Sequence, residues 1–344
     1  MEIGNQIKAL RLRRGISQET LAQHFGITAQ AVSKWERGAA TPDISLLPEL
    51  SAYFGVSIDE LFALSDDTRM ERIQNMLWDV RYLDDAEVAS SRSFLLEKAA
   101  LEPKNGRPFE LLADMENHIA REHQSRAAEY AKEALRRDAT LRKAHGELIF
   151  AMGGFIADWN SASHYALIDY YKGYLSTHPN CQNAYLAIMD QLIADYRLEE
   201  AAAYCEKYAA INSSYRVLLY RGKIAWQDGR REDAFEIWKQ MEQTFPEEWC
   251  VYHNIADYMT RAGKREDAER YYRRAFEVQK PPRYVDPLEA LAQFYEQAGR
   301  FDRAVETLKE ELDVFNKEWH FTTGETADIV RREILRLEQK AGKA

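Results

Sequence analysis

Ser17-Gln-Glu-Thr-Leu-Ala-Gln-His-Phe-Gly-Ile-Thr-Ala-Gln-Ala-Val-Ser-Lys-Trp-Glu-Arg-Gly38 reads as two short helices joined by a tight turn, a helix-turn-helix. Ser17 offers an oxygen to the free amides of the first helix, and Thr28 does the same for the second, so each helix carries its own start signal. Gly38 supplies a stop. Between these ends Ala22 is small where the two helices approach and Gly26 suits the left-handed backbone of the turn. Val32 and Trp35 are apolar where the second helix meets its surroundings.

Working outward, Ile3, Ile7, Leu10 and Leu12 give an apolar stripe for a preceding helix that ends near Gly15, with Lys8, Arg11, Arg13 and Arg14 clustered around it. On the other side Ala39-Ala-Thr-Pro42 is a loop. Asp43 is placed to cap a fourth helix over Ile44 to Phe54, which Gly55 ends, and Ser57 opens a short fifth helix. Six basic residues stand against seven acidic ones in residues 1–64, yet between residues 8 and 37 the six bases face only Glu19 and Glu36. This local basic face sits on a chain of net charge −10, which would repel nucleic acid elsewhere and favour one docking orientation.

The order and spacing of these five helices over residues 3–62 strongly resemble the Cro/C1-type (Xre-family) DNA-binding domain of phage and bacterial repressors. The resemblance implies that the second helix of the motif lies in the major groove of double-stranded DNA. Gln18 matches the position that bonds a phosphate and buttresses the reading helix, and Ala29, Gln30, Ser33 and Lys34 match the base-facing positions. Gln30 suits adenine, Lys34 suits guanine O6 or N7, and Ala29 offers only a methyl to thymine. Thr28 and Arg37, at the two ends of the helix, are placed for phosphates. Glu36 would be repulsive beside DNA; in the family the matching acid pairs with an arginine of the first helix, and Arg11 holds that position, so a structural Arg11–Glu36 ion pair is expected.

After Ala63-Leu-Ser-Asp-Asp-Thr68, a short polar joint, nothing reads as strand. Gly229-Arg-Arg-Glu-Asp-Ala234, Gly263-Lys-Arg-Glu-Asp-Ala268 and Gly299-Arg-Phe-Asp-Arg-Ala304 repeat at spacings of 34 and 36 residues, and Tyr196-Arg-Leu-Glu-Glu-Ala201 precedes them by 33. Small Gly222, Ala256 and Ala292 stand before these alanines, aromatic Trp238 and Tyr272 after two of them, and Pro246 and Pro281 near helix ends. This period resembles the tetratricopeptide repeat. The earlier units are more degenerate: one pair from Thr68 to Pro103, one within Arg107 to Arg137, one from Thr140 to Thr177, and an irregularity between Ala139 and Asn160 around Gly153-Gly154. The expected fold is all-α. A five-helix DNA-binding domain (1–64) is followed by an α-solenoid of about seven helix pairs (68–344) with a capping helix over Gly324 to Lys340.

Aligned repeats place Asn183, Asp190, Arg216, Lys223, Trp226, His253, Asn254, Asp257, Arg261, Gln293 and Glu296 on a concave groove. Asn amides there can bond an extended peptide, and the arginines and Lys223 can hold a carboxylate. The other reading of the same set is a solvated groove with ion pairs inside each repeat.

Other chemistry finds no constellation. His118 and His123 face different sides of a helix, no metal-binding or catalytic motif and no phosphate loop is present, so neither an enzyme nor a cofactor is expected. Asp84-Asp85 and Glu310-Glu311 read as repeat-surface charges, and Tyr165, Tyr170, Tyr171 and Tyr174 as packing between repeats. Cys181, Cys205 and Cys250 read as reduced core thiols. With no membrane-length apolar run and no export signal, a cytoplasmic protein without a membrane partner is expected. The two-part layout resembles Gram-positive peptide-sensing regulators. It implies a homodimeric transcriptional regulator whose repeats sense a signalling peptide, small ligand or protein, with an interaction scaffold or antitoxin-like protein as the alternative.

Overall fold

The computed structural model describes residues 3–62, 65–154 and 164–342. All regular structure among them is helical, and the chain divides into two compact units, residues 1–121 and 122–344.

The first unit opens with α1 (Ile3–Arg13), α2 (Gln18–His24) and α3 (Ala29–Glu36), followed by α4 (Leu47–Phe54) and α5 (Ile58–Leu61). Ser17 accepts from Thr20 N at 3.1 Å and Thr28 from Ala31 N at 3.1 Å, so both motif helices start on their side-chain caps. Ser57 and Glu60 cap each other's amides at 3.2 and 2.6 Å, the reciprocal arrangement that opens α5. Ile7, Leu21, Val32, Leu50 and Leu61, all fully buried, join one core drawn from all five helices.

The fourth helix starts later than the sequence predicts. Ile44–Leu46 is a separate 3-10 turn, tightened by Asp43, which accepts from Ser45 N at 2.9 Å. The α-helix proper begins at Leu47 because Pro48 has no amide hydrogen, and only in a first turn is that donor unneeded.

A second core in this unit gathers Met70, Ile73, Leu77, Leu95, Leu111 and Met115 from α6 (Asp66–Asp79), α7 (Asp85–Leu101) and the start of α8 (Arg107–Arg137). Asp84 is not a plain surface charge: it caps α7, accepting from Ala86 N and Glu87 N. The helix pair expected within Arg107 to Arg137 is instead one continuous helix of 31 residues. Beyond Pro108, in its first turn, this stretch holds neither glycine nor proline, so nothing in it breaks the backbone ladder.

The second unit continues with α9 (Arg142–Ala151), α10 (Tyr165–Thr177), α11 (Gln182–Ala194) and α12 (Leu198–Ala209), then α13 (Arg216–Gln227) and α14 (Arg231–Thr244). It ends with α15 (Trp249–Arg261), α16 (Arg265–Glu277), α17 (Asp286–Gln297), α18 (Phe301–Val314) and α19 (Glu325–Ala341). From α11 to α18 consecutive helices pack as pairs, and α19 covers the last pair on α18. The irregularity expected between Ala139 and Asn160 lies outside the described residues from residue 155 on.

The joint inside each pair is the same. Gly229, Gly263 and Gly299 have φ of 82°, 73° and 71°. The amide of the following residue reaches back to the first helix: Arg230 N to Ala225 O at 2.9 Å, Lys264 N to Met259 O at 2.9 Å and Arg300 N to Tyr295 O at 2.8 Å. This is the Schellman closure, which needs a left-handed residue. Tyr196 occupies the same position with φ 57°, and Arg197 N bonds Leu192 O at 2.8 Å.

Packing follows the repeat. Ala201, Ala234, Ala268 and Ala304 are fully buried, and Trp238 lies flat against Gly222, where a Cβ would come within 2.0 Å of the indole nitrogen. The tyrosines of α10 divide between core and flank, although the Tyr170 ring still meets those of Tyr171 and Tyr174. Tyr171 and Tyr174 join the core beside buried Ile168 and Leu175, whereas Tyr165 and Tyr170 fall on the flank and are about 60% exposed. The core stripe of Ala304 and Leu308 in α18, continued by Phe315 just past its end, includes Glu311, one helical turn beyond Leu308. Glu311 is 3% exposed and therefore an interior carboxyl, unlike its neighbour Glu310.

Candidate nucleic-acid interface

α3 is held by its two ends. At its start Thr28 supplies the cap; at its finish Glu36 is buried and gathers side chains from two other helices. Arg11 of α1 donates to both Glu36 oxygens, Nε to Oε1 at 2.6 Å and a terminal nitrogen to Oε2 at 3.0 Å. Gln18 of α2 donates Nε2 to Glu36 Oε2 at 2.8 Å. Arg11 also donates to Ile16 O at 2.7 Å, which fixes the connection between α1 and α2.

Burial by itself would raise the Glu36 carboxyl. The hydrogen bonds from Arg11 and Gln18, with the positive charges of Arg11 and Lys8, outweigh it and hold Glu36 below the ordinary carboxylate range. The Arg11 guanidinium is correspondingly raised by its bond to Glu36. Glu36 is thus an anion kept away from solvent, and the end of the helix it terminates presents no free carboxylate.

Val32 and Trp35 turn α3 inward, at 0% and 5% exposure. At 100° per residue the opposite face carries Gln30 and Lys34, exposed, with Ser33 and Ala29 half-buried on the flank toward Val32. Arg37, just past the helix, is exposed and donates Nε to Ser33 O at 3.1 Å, which aligns its guanidinium with the last turn. Gln18 is half-buried through its bond to Glu36. Gln30, Ser33, Lys34 and Arg37 therefore share one face whose rigidity comes from the buried Arg11–Glu36–Gln18 cluster. Chemically, this face offers an amide, a hydroxyl, an ammonium and a guanidinium at helical spacing, the donor set that base edges and phosphates accept.

Sequence reading overlooked one requirement of this head. Gly4 in α1 faces the end of α3 so closely that a Cβ would lie 1.8 Å from Trp35 O. The only local signal is a glycine at a buried position inside a helix, where it would otherwise be unfavourable.

Most of the predicted groove residues are engaged by neighbouring side chains or backbone. Lys223 donates to Asp190 at 3.2 Å and lies over the Tyr220 ring, while Tyr220 donates its hydroxyl to Asp190 at 2.9 Å. Asp257 accepts from the Tyr272 hydroxyl at 2.7 Å, with His253 4.0 Å away. Asn254 donates to Cys250 O of its own helix at 2.8 Å, which uses one of its two amide hydrogens. Trp226 packs edge-on against Phe235 and Tyr258, and Arg261 lies 5.1 Å from the Tyr258 ring centre. Asn183 and Arg216 are exposed, Arg216 near the Tyr215 ring. Gln293 and Glu296 lie on α17, where Glu296 receives Arg336 and Lys340 of α19.

A sequence-family model described as Helix-turn-helix matches residues 7–61. The HTH-type transcriptional activator BcrR of Enterococcus faecalis is 36% identical over 63 residues, 18% of this chain and 31% of its own length. The uncharacterized HTH-type transcriptional regulator YgzD of Bacillus subtilis is 33% identical over 63 residues, 18% of this chain and 96% of its own length. The chain thus spans only about a third of BcrR but nearly all of YgzD. Among solved structures, a tetratricopeptide repeat protein from Parabacteroides merdae aligns over 79% of this chain and 98% of its own, at 16% identity and a TM-score of 0.40.

Proposed function

Since the chain belongs, through its first 62 residues, to the helix-turn-helix family of transcriptional regulators, we propose that it binds an operator in double-stranded DNA with α3 in the major groove. The observation that carries this reading is the exposed Gln30–Ser33–Lys34–Arg37 face, backed by Val32 and Trp35 and clamped at its end by Glu36. Gln30 and Lys34 read base edges, with Ser33 and the Ala29 methyl beside them. Gln18, Thr28 and Arg37 position the head on phosphates. Two heads are needed for specific affinity at physiological salt, because one buries too little surface, so the regulator acts as a homodimer.

The repeat domain is the sensing part, taking a peptide, a small ligand or a protein and passing the event to the heads by preferring one arrangement of the dimer over another. Asp190, Lys223 and Asp257 of the predicted groove already hold partners, which favours a ligand that exchanges with those partners over one that enters an unoccupied charged groove.

Fluorescence anisotropy with an operator recovered by genomic footprinting tests the DNA reading. Gln30→Ala and Lys34→Ala are expected to lose about 1–3 kcal/mol of discrimination against mismatched operators, while Arg37→Ala weakens all sequences alike and lowers the salt slope by about 1. Unchanged discrimination in both helix variants would mean that α3 does not read bases.

A further inference from the structure

Between α17, α18 and α19 lies a cavity of about 490 Å³, within the size range of small-molecule sites. Its walls are mostly apolar, with Leu308 from α18, Phe315 just past its end, and Ile329, Val330 and Leu337 from α19. Into it faces Glu311, 3% exposed, whose Oε2 has no hydrogen-bond partner among the described residues. A second carboxyl, Glu289 of α17, lines the same space and accepts a long bond from the Gln293 amide at 3.4 Å.

The cations of the neighbourhood are committed elsewhere. Arg336 bonds both Glu296 oxygens at 2.6 Å and Glu333 at 2.6 Å, and Lys340 bonds Glu296 at 2.6 Å. Arg273 takes Glu310, the neighbour of Glu311, at 2.5 Å. An interior carboxyl without a partner is costly unless it keeps its proton or meets a cation.

We propose that this cavity binds a small amphiphilic cation, an alkyl or aryl body carrying one protonated amine, with the amine paired to Glu311 and the body against the α18 and α19 walls. The apolar lining and the excess of unpaired carboxyl over available cation select this chemistry: a neutral hydrocarbon leaves Glu311 unsatisfied, and an anion gains no charge pairing with Glu311 and is repelled by Glu289 and Asp286. Burial, reinforced by the charges of Glu289 and Asp286, pushes the Glu311 carboxyl up to about 8, so the empty site holds a proton at neutral pH. The groups facing it are Asp286, Glu289 and Glu296 of α17 and Glu333 and Arg336 of α19, with His253 of α15 near Glu289. Entry of an ammonium expels that proton to solvent, leaving a carboxylate–ammonium pair. Gln293 and Glu296 of the predicted groove set line this cavity, whereas the members on α11, α13 and α15 do not, and its occupancy is measurable without DNA.

Calorimetry of the full chain with n-octylamine, n-octanol and octanoate at neutral pH tests this. The amine is expected to bind at least about tenfold more tightly than the alcohol or the acid, releasing up to about one proton, seen as a dependence of the heat on buffer ionisation. Glu311→Gln should weaken octylamine at least about tenfold and abolish the proton release. Ile329→Trp, at an exposed position on the cavity rim, should weaken all probes that bind. Octanol binding as tightly as octylamine, Glu311→Gln binding the amine like the parent, or no octylamine binding at millimolar concentration would each overturn the proposal.

Discussion

Glu36→Ala is expected to cost the helix-turn-helix about 3–5 kcal/mol, because it leaves the buried Arg11 guanidinium without its anion. Gln18 loses its acceptor in the same change, so all three motif helices are loosened at one point. Amide hydrogen exchange of the full chain is the direct measurement: protection in α1–α3 should fall by roughly 100-fold or more, while α11–α18 keep theirs. Operator affinity should fall with it, although Glu36 itself touches no DNA in the proposed docking. A paired replacement, Arg11→Met with Glu36→Met, should recover much of the loss, since apolar isosteres of a buried pair are tolerated better than half of it. Unaltered exchange in Glu36→Ala would remove the cluster from any role in holding α3.

The opposite end of the chain should respond to pH with the opposite sign. Glu311 titrates near 8 when folded against a usual 4.5, so the folded state holds a proton that the unfolded state releases. Stability of α17–α19 is therefore full below the unfolded value and declines as pH rises, by up to about 5 kcal/mol across the window from about pH 5 to about pH 8. Glu36 is depressed rather than raised, so its contribution is present above the ordinary carboxylate range and lost as pH falls through its folded value. Exchange protection in α17–α19 should accordingly drop between mildly acidic and mildly alkaline buffer in the parent chain. In Glu311→Gln the drop should be much smaller, the remainder coming from Glu289, whose carboxyl is also raised by burial. A parent profile as flat as the variant's would mean that Glu311 is solvated on folding.

The head was legible from sequence because its rules are local. Caps at Ser17 and Thr28, small Ala22 and the inward pair Val32 and Trp35 each act within a few residues. The glycine-marked repeats were legible for the same reason, since a left-handed joint strongly prefers one residue type. What escaped depends on distant partners or on absences. The continuity of α8 follows from a lack of breakers, which a search for repeat units passes over. The burial of Glu311 depends on α17 and α19 closing over it, and its sequence neighbours disguise it as half of an acidic surface pair. The bonds among Asp190, Tyr220 and Lys223 cross between helix pairs, so no single repeat contains them.

Tyr196 carries the α11–α12 joint in the left-handed region where the later joints use glycine. The strain of holding a bulky residue there is about 1 kcal/mol, small beside the burial of Ala201, Tyr208 and Ile188 that the joint brings together. Geometry at these elbows is thus dictated by the two helices that meet, and the glycine merely removes a penalty. Such an array can lose its sequence hallmark one unit at a time while the architecture stays whole, so its units are better counted by their buried alanines than by their glycines. Restoring the hallmark with Tyr196→Gly would relax the elbow without moving it.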